Sequence, residues 1–251
     1  MWEPNSDMNK YGTPMTLMTI PYFTEHTSME GLYFDSSITT PIHFISVSGL
    51  AKRPSNPVGW FSYINNQFDQ GVDYLNHLGV DYFISYTEEI ESKAMDSEKL
   101  ILLFSSEPFS VFKVNSSKVE LIYQDIKIFS KASTQDGILS SILRDTDINN
   151  FFDKAYESFD ELDKKRVIEV SNGMNIVSSK KNDLQITDLN ITNNKISFFT
   201  DSPGELHLIK VSYFPNWKIT NGKGPFRTSP SFMSVIPDNK YVEITFEKTI
   251  V

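Results

Sequence analysis

The sequence predicts an α+β chain, with an N-terminal α/β layer followed by a C-terminal antiparallel β-sandwich of jelly-roll type. Three observations carry this expectation. From Arg166 to Glu247, short apolar runs recur between turn signals. Between Gly71 and Tyr123, runs at helical spacing alternate with aromatic and β-branched runs. Across Val211–Val235, Tyr213, Phe214, Trp217, Phe226 and Phe232 are punctuated by Pro and Gly. In an antiparallel sheet, breakers of this kind set the turns while aromatic residues fill a sheet face.

The elements follow in chain order. Trp2–Tyr11 is polar and Pro-containing, an irregular entry. Thr13-Pro14 caps a short helix over Met15–Ile20, with Pro at its first position, and Pro21 ends it. The apolar residues there fit a strand as well. Lys52–Gly59 is a loop by composition. Val72, Leu75 and Leu78 recur at helical spacing, and Gly79 supplies the stop. Val80–Tyr86 is a buried strand. Thr87 is the N-cap of a second helix, with carboxylates in its first turn. Leu100–Phe104, Phe109–Val114 and Val119–Tyr123 are three further strands.

Between Ser130 and Lys165 two short amphipathic helices are expected, on Ile138, Leu139, Ile142, Leu143, Phe151, Phe152, Tyr156 and Phe159. Strands then follow over Arg166–Val170, Asp183–Ile191, Lys195–Thr200, Glu205–Tyr213, Trp217–Thr220, Phe232–Pro237 and Tyr241–Glu247. A Gly-rich turn lies between the fifth and sixth. This divides the chain into an α/β domain (1–130), a helical connection (131–165) and a β-sandwich (166–251).

Composition limits the function. With 251 residues, 39% of them hydrophobic, the chain has enough apolar surface for a full core. The formal charge of −9 and the scattered Lys and Arg residues exclude the basic stripe that nucleic acid requires. No run of about 18 apolar residues is present to span a bilayer. No signal-peptide pattern is present either, and Met1 followed at once by Trp-Glu-Pro-Asn predicts a piece of a larger protein. The absence of Cys excludes disulfides and thiolate metal sites. Asn115-Ser116-Ser117 and Asn190-Ile191-Thr192 are sequons that permit glycosylation on an outside surface.

Catalytic motifs are missing. His26, His43, His77 and His207 have no metal-ligand spacing, so neither metal nor other cofactor is expected. ISVSGL, ending at Leu50, lacks the first Gly of a nucleophile elbow and is expected to be a strand end. The strongest constellation is Glu25, His26, Glu30, Tyr33, Asp35 and His43. Carboxylates, imidazoles and a phenol together can donate to and accept from a sugar or phosphate. The same residues fit a core-crossing segment whose carboxylates cap turns or pair with Lys52, Arg53 or Arg227. Trp217, Phe226 and Arg227 form a second candidate, able to stack on and clamp a sugar ring or to pack the sheet core.

Several of these strings carry a resemblance. Tyr11–Thr24 (YGTPMTLMTIPYFT), Ser28–Phe44 (SMEGLYFDSSITTPIHF) and Pro108–Phe112 (PFSVF) are among them. The terminal SYFPNWK, RTSPSFMSVIP and YVEITF complete the set. Together they resemble the extracytoplasmic part of YfhO-like polytopic membrane proteins, which are similar to glycosyltransferases using lipid-linked sugar donors. Some relatives carry a label relating them to pyruvoyl-tetrahydropterin synthase. That activity needs a zinc His cluster and a nucleophilic Cys, which this chain lacks. The resemblance implies an extracytoplasmic domain of a multi-spanning membrane protein. Its partners would be a saccharide or lipid-linked sugar, and the membrane through transmembrane segments outside this chain. The implied role is to assist glycosyl transfer by holding acceptor or glycan. A non-enzymatic carbohydrate-binding or assembly module of the cell envelope is the other role it allows.

Overall fold

Two helices that touch at glycines organise the N-terminal part of the chain. They are α2 (Thr40–Leu50) and α3 (Phe68–His77), preceded by a 3-10 turn at Thr16–Thr19 that leads into the short α1 (Ile20–Phe23). The computed structural model describes residues 10–11, 16–24, 26–28, 40–54, 56, 63–131, 164–171, 174–180 and 183–248. A Cβ on Gly49 would lie 2.8 Å from the Gln67 carbonyl oxygen and 3.2 Å from the Gly71 Cα. A Cβ on Gly71 would lie 2.8 Å from the Leu50 Cγ. Only the missing side chains let the two backbones approach this closely.

The expectation for ISVSGL is therefore corrected: it is the C-terminal half of a helix. From Ile45 to Leu50 every residue is buried, the serines included. A helix buried on all sides has no polar face, so it shows no amphipathic period to read. Pro21 likewise does not end a helix. It stands in the first turn of α1, where its missing N–H has no partner to lose.

The chain divides into two compact units, Met1–Ser117 and Lys118–Val251. It is mostly β, with several antiparallel sheets. In the first unit, β1 (Tyr82–Ser85), β2 (Leu100–Ser106) and β3 (Phe109–Val114) form one antiparallel sheet in the order β1-β3-β2. Phe83 stands opposite Phe112 at its centre, and the Phe83 ring meets Phe68 of α3 edge-on at 6.3 Å. Gly79 ends α3 at φ +68. The Gly79 N–H bonds the Asn76 carbonyl and the Val80 N–H the Leu75 carbonyl, a Schellman closure. Helix α4 (Glu88–Asp96) opens at Thr87, whose hydroxyl accepts from the Ile90 N–H, and buries Ile90 and Ala94. Ser97 Oγ donates to Asp69, and Lys99 bridges both oxygens of Asp73 at 2.7 Å, tying the end of α4 to α3.

The second unit carries two sheets. One is four-stranded, from β7 (Ile186–Ile191), β8 (Lys195–Thr200), β10 (Trp217–Ile219) and β13 (Tyr241–Phe246), in the order β10-β13-β8-β7. The other is six-stranded, from β4 (Val119–Leu121), β5 (Asp125–Lys131), β6 (Lys165–Ser171), β9 (His207–Ser212), β11 (Gly222–Thr228) and β12 (Phe232–Pro237), in the order β4-β9-β12-β11-β6-β5. Their facing sides share one apolar core built from Val119, Ile196, Phe198, Ile209, Trp217, Met233, Val235, Val242 and Ile244.

Three features differ from expectation. Residues 119–130, placed in the N-terminal layer by sequence, join the six-stranded sheet through β4–β9 and β5–β6. The β5–β6 pair is parallel. The Gly-rich segment after Thr220 is a strand, β11, whose register with β12 shifts between Lys223 and Phe226. Gly222 and Gly224 hold φ of +150 and +108, and a Cβ on either would strike a β12 carbonyl, at 2.5 and 2.8 Å. Here glycine marks a bulged strand rather than a turn. The helices expected between Ser130 and Lys165 fall almost entirely outside the described residues.

Candidate functional site

A shallow, open concavity lies in the first unit, where the loop after α2 meets the start of α4. Lys52, Tyr86, Thr87, Glu88, Glu89 and Pro108 line a volume of about 650 Å³. The backbone explains why these groups converge. Tyr86 leaves the end of β1, Thr87 caps α4, and Glu88 and Glu89 occupy the first helical turn, where carboxylates oppose the positive end of the helix. Pro108 sits in the tight turn joining β2 to β3.

An aromatic cluster adjoins the groove. Phe109 packs against Tyr86 at 5.5 Å and Tyr11 at 5.7 Å between ring centres. The Lys10 ammonium lies over both tyrosine rings, 5.1 Å from Tyr11 and 5.8 Å from Tyr86. Its pKa is raised, first by the hydrogen bond with Tyr11. On the groove's far side Glu89 takes Lys93 at 3.1 Å and Lys52 at 3.2 Å. The hydrogen bond from Lys93, then that from Lys52, holds the Glu89 carboxyl below the usual carboxylate range. Behind α4, Ser110 donates to Glu91 and accepts from Ser105, fixing the helix against the β2–β3 hairpin.

The residues singled out from the sequence distribute differently. His26 is exposed and meets Tyr82 edge-on at 5.4 Å. His43 is 2% exposed inside α2, its ring 4.2 Å from Phe44. The structure thus places one imidazole at the surface and the other in a helix core. Glu25, Glu30, Tyr33 and Asp35 lie outside the described residues. Among the described residues Lys52 pairs with Glu89, and Arg227 faces Glu169 at 3.8 Å.

Trp217 is a core residue, edge-on to Phe246 at 5.1 Å, and presents no free ring face. Arg227 is also buried, its Nε donating to Ser231. Burial holds its pKa below the ordinary arginine value, with Glu169 opposing the shift. Among the described residues of the second unit the exposed aromatics are Tyr123, Phe199, Phe214 and Tyr241, of which Phe199 and Tyr241 pair across β8 and β13 at 5.1 Å. Strand alternation carries that signal, because Phe198 turns inward and Phe199 must then turn out.

A further charged cluster was not legible in the sequence. Glu120 accepts from Arg166 at 3.2 Å and Lys210 at 2.9 Å, and Arg166 also donates to the Ser229 carbonyl. Burial pulls the Lys210 pKa down, and Glu120 counters it. Among the described residues no group of three or more His, Asp or Glu side chains is placed to hold a metal ion, and no helix is long and apolar enough to cross a membrane. No protein-family model, curated protein or solved structure matches the chain.

Proposed function

We propose that this chain is a saccharide-binding domain of a cell-envelope protein. In this reading it is the extracytoplasmic part of a multi-spanning membrane protein, assisting glycosyl transfer from a lipid-linked sugar by holding acceptor or glycan. Its architecture is an N-terminal layer of helices on a sheet, followed by a β-sandwich of jelly-roll type. The observation that carries the reading is the groove itself, where a tyrosine ring, two adjacent carboxylates, a hydroxyl and an ammonium converge on one concavity. Sugars are recognised by an apolar ring face beside several directional donors and acceptors held in place before binding. Here Tyr86 is braced by Phe109, Thr87 by its capping bond, and Glu89 by two lysines. The resemblance to the YfhO-like proteins supports the same class of ligand. Asn115 and Asn190 of the sequons are both exposed, as glycosylation would require.

Glu89 favours binding over catalysis in this groove. A glycosidic general acid needs a carboxyl whose pKa is raised, and the lysines shift Glu89 the other way. Its carboxylate is suited to accept hydrogen bonds from sugar hydroxyls, a role that the transfer-assisting form and the non-enzymatic binding module share.

Calorimetric titration with a panel of neutral and acidic oligosaccharides tests it. Saturable binding is expected for at least one member, weakened about tenfold or more in Tyr86→Ala, which loses the ring face. Glu88→Gln, an exposed change, is expected to weaken binding while lowering the melting temperature by no more than about 2–4 °C, the cost of one first-turn carboxylate. Absence of saturable binding up to about 10 mM of every sugar, or unchanged affinity in both variants, refutes the proposal.

A further inference from the structure

Among the described residues, strand β2 is an open edge of its three-stranded sheet, with β3 on one side and no strand on the other. Its sequence is LILLFSS, and every residue after Leu100 is exposed. Ile101 is 61% and Phe104 58% exposed, with Leu102 and Leu103 also open to solvent. An edge strand presents a row of backbone donors and acceptors, and natural proteins normally guard such an edge with charge or proline. Between Leu100 and Ser106 there is no charged residue and no proline. Within the strand itself a register shift falls between Leu102 and Phe104, which leaves Leu103 without a partner on β3.

The charges stand just outside the apolar run, and their signs are opposite. Lys99 precedes it and Glu107 follows it, and both are exposed. Leu103 lies midway between them. A twofold axis at Leu103 would run two copies of β2 antiparallel. Leu102 of each copy would then lie opposite Phe104 of the other, and Lys99 opposite Glu107. The strand is thus complementary to itself in one orientation: apolar against apolar at the centre, and cation against anion at both ends. A parallel arrangement would set Lys99 against Lys99 and Glu107 against Glu107.

We infer that β2 is a homodimerisation edge, joining two copies into one continuous antiparallel sheet. The symmetry is the one most common among homo-oligomers, with the same patch used on both sides. The strand addition supplies main-chain hydrogen bonds, and the side chains set the orientation.

Sedimentation equilibrium of the intact chain, from about 1 to 200 µM at low salt, tests this. Wild type is expected to dimerise reversibly. Leu103→Lys places two ammonium groups at the axis and should leave a monomer with wild-type circular dichroism. Glu107→Lys should weaken the dimer about tenfold or more by setting lysine against lysine, and adding Lys99→Glu should restore it. That restoration separates the interface from the fold, because Lys99→Glu adds a disturbance at Asp73 and the double variant still regains its partner. A wild type that stays monomeric across the range overturns the inference. So does a double variant no tighter than Glu107→Lys alone. Monomers that instead float with phosphatidylglycerol vesicles would also overturn it, assigning the strand to a lipid surface.

Discussion

Replacing Glu120 by Gln tests how the six-stranded sheet tolerates buried charge. Glu120 is the shared acceptor of Arg166 and Lys210, whose side chains are 1% and 2% exposed. Glutamine keeps the size but removes the negative charge, leaving two cations without their counter-charge. Removing one partner of a fully buried ion pair costs about 3–5 kcal/mol. Glu120 is itself 31% exposed, so water already screens part of the attraction, and a loss of about 2–3 kcal/mol is expected at pH 7.

The deficit has a pH dependence whose sign is determined. Burial holds the folded-state pKa of Lys210 below 10.5. Between that depressed value and 10.5 the unfolded chain binds a proton that the folded chain does not, so stability rises with pH across the window. Without Glu120 the folded pKa falls further, and the rise begins at lower pH. The gap between variant and wild type therefore narrows as pH climbs from 7 toward 10. It does not close, because Arg166 stays charged. Urea unfolding at several pH values between these limits measures this directly. A variant within about 0.5 kcal/mol of wild type at pH 7, or a gap that widens with pH, would refute the reasoning.

Two further outcomes follow from packing and hydrogen bonding. Gly71→Ala should gain about 1 kcal/mol of helix propensity and lose more to overlap, because its Cβ falls 2.8 Å from the Leu50 Cγ and 3.1 Å from the Ser46 carbonyl oxygen. A net loss of about 1–2 kcal/mol by chemical denaturation is expected, and a stabilised variant would contradict the close helix crossing. Thr200→Val removes the hydroxyl that meets His207 Nε2 at 2.7 Å. The Glu205 carbonyl can only accept, so Nδ1 carries the proton, and in the neutral ring Nε2 accepts from Thr200. Losing that donor in a buried site should cost about 1–3 kcal/mol, and a neutral effect on the unfolding midpoint would show the bond to be dispensable.

Local signals determined much of the secondary structure. The bounds of β8 and β12 coincide with the apolar runs Lys195–Thr200 and Phe232–Pro237. Gly79 and Thr87 end and begin helices as their chemistry requires, since each cap acts through bonds a few residues away. Of the groove, only Thr87 and the carboxylates of the first helical turn were legible, and they were read as structure. Lys52 and Pro108 join them only once the fold brings the loop, helix and hairpin together. Trp217 and Arg227 were sugar-clamp candidates on residue type, and pairing between distant strands buried both.

The tertiary structure alone decided the rest. It made ISVSGL a helix, because burial on every side erases the periodicity that distinguishes helix from strand. It made Gly222–Thr228 a strand, because only proximity to the β12 carbonyls explains glycine there. It assembled Glu120 with Arg166, 46 residues apart. Capping and alternation act within a turn or a strand and so are written in neighbouring residues. Sheet partners, close helix crossings and buried charge pairs depend on which distant segments meet, and folding settles that through the whole core at once.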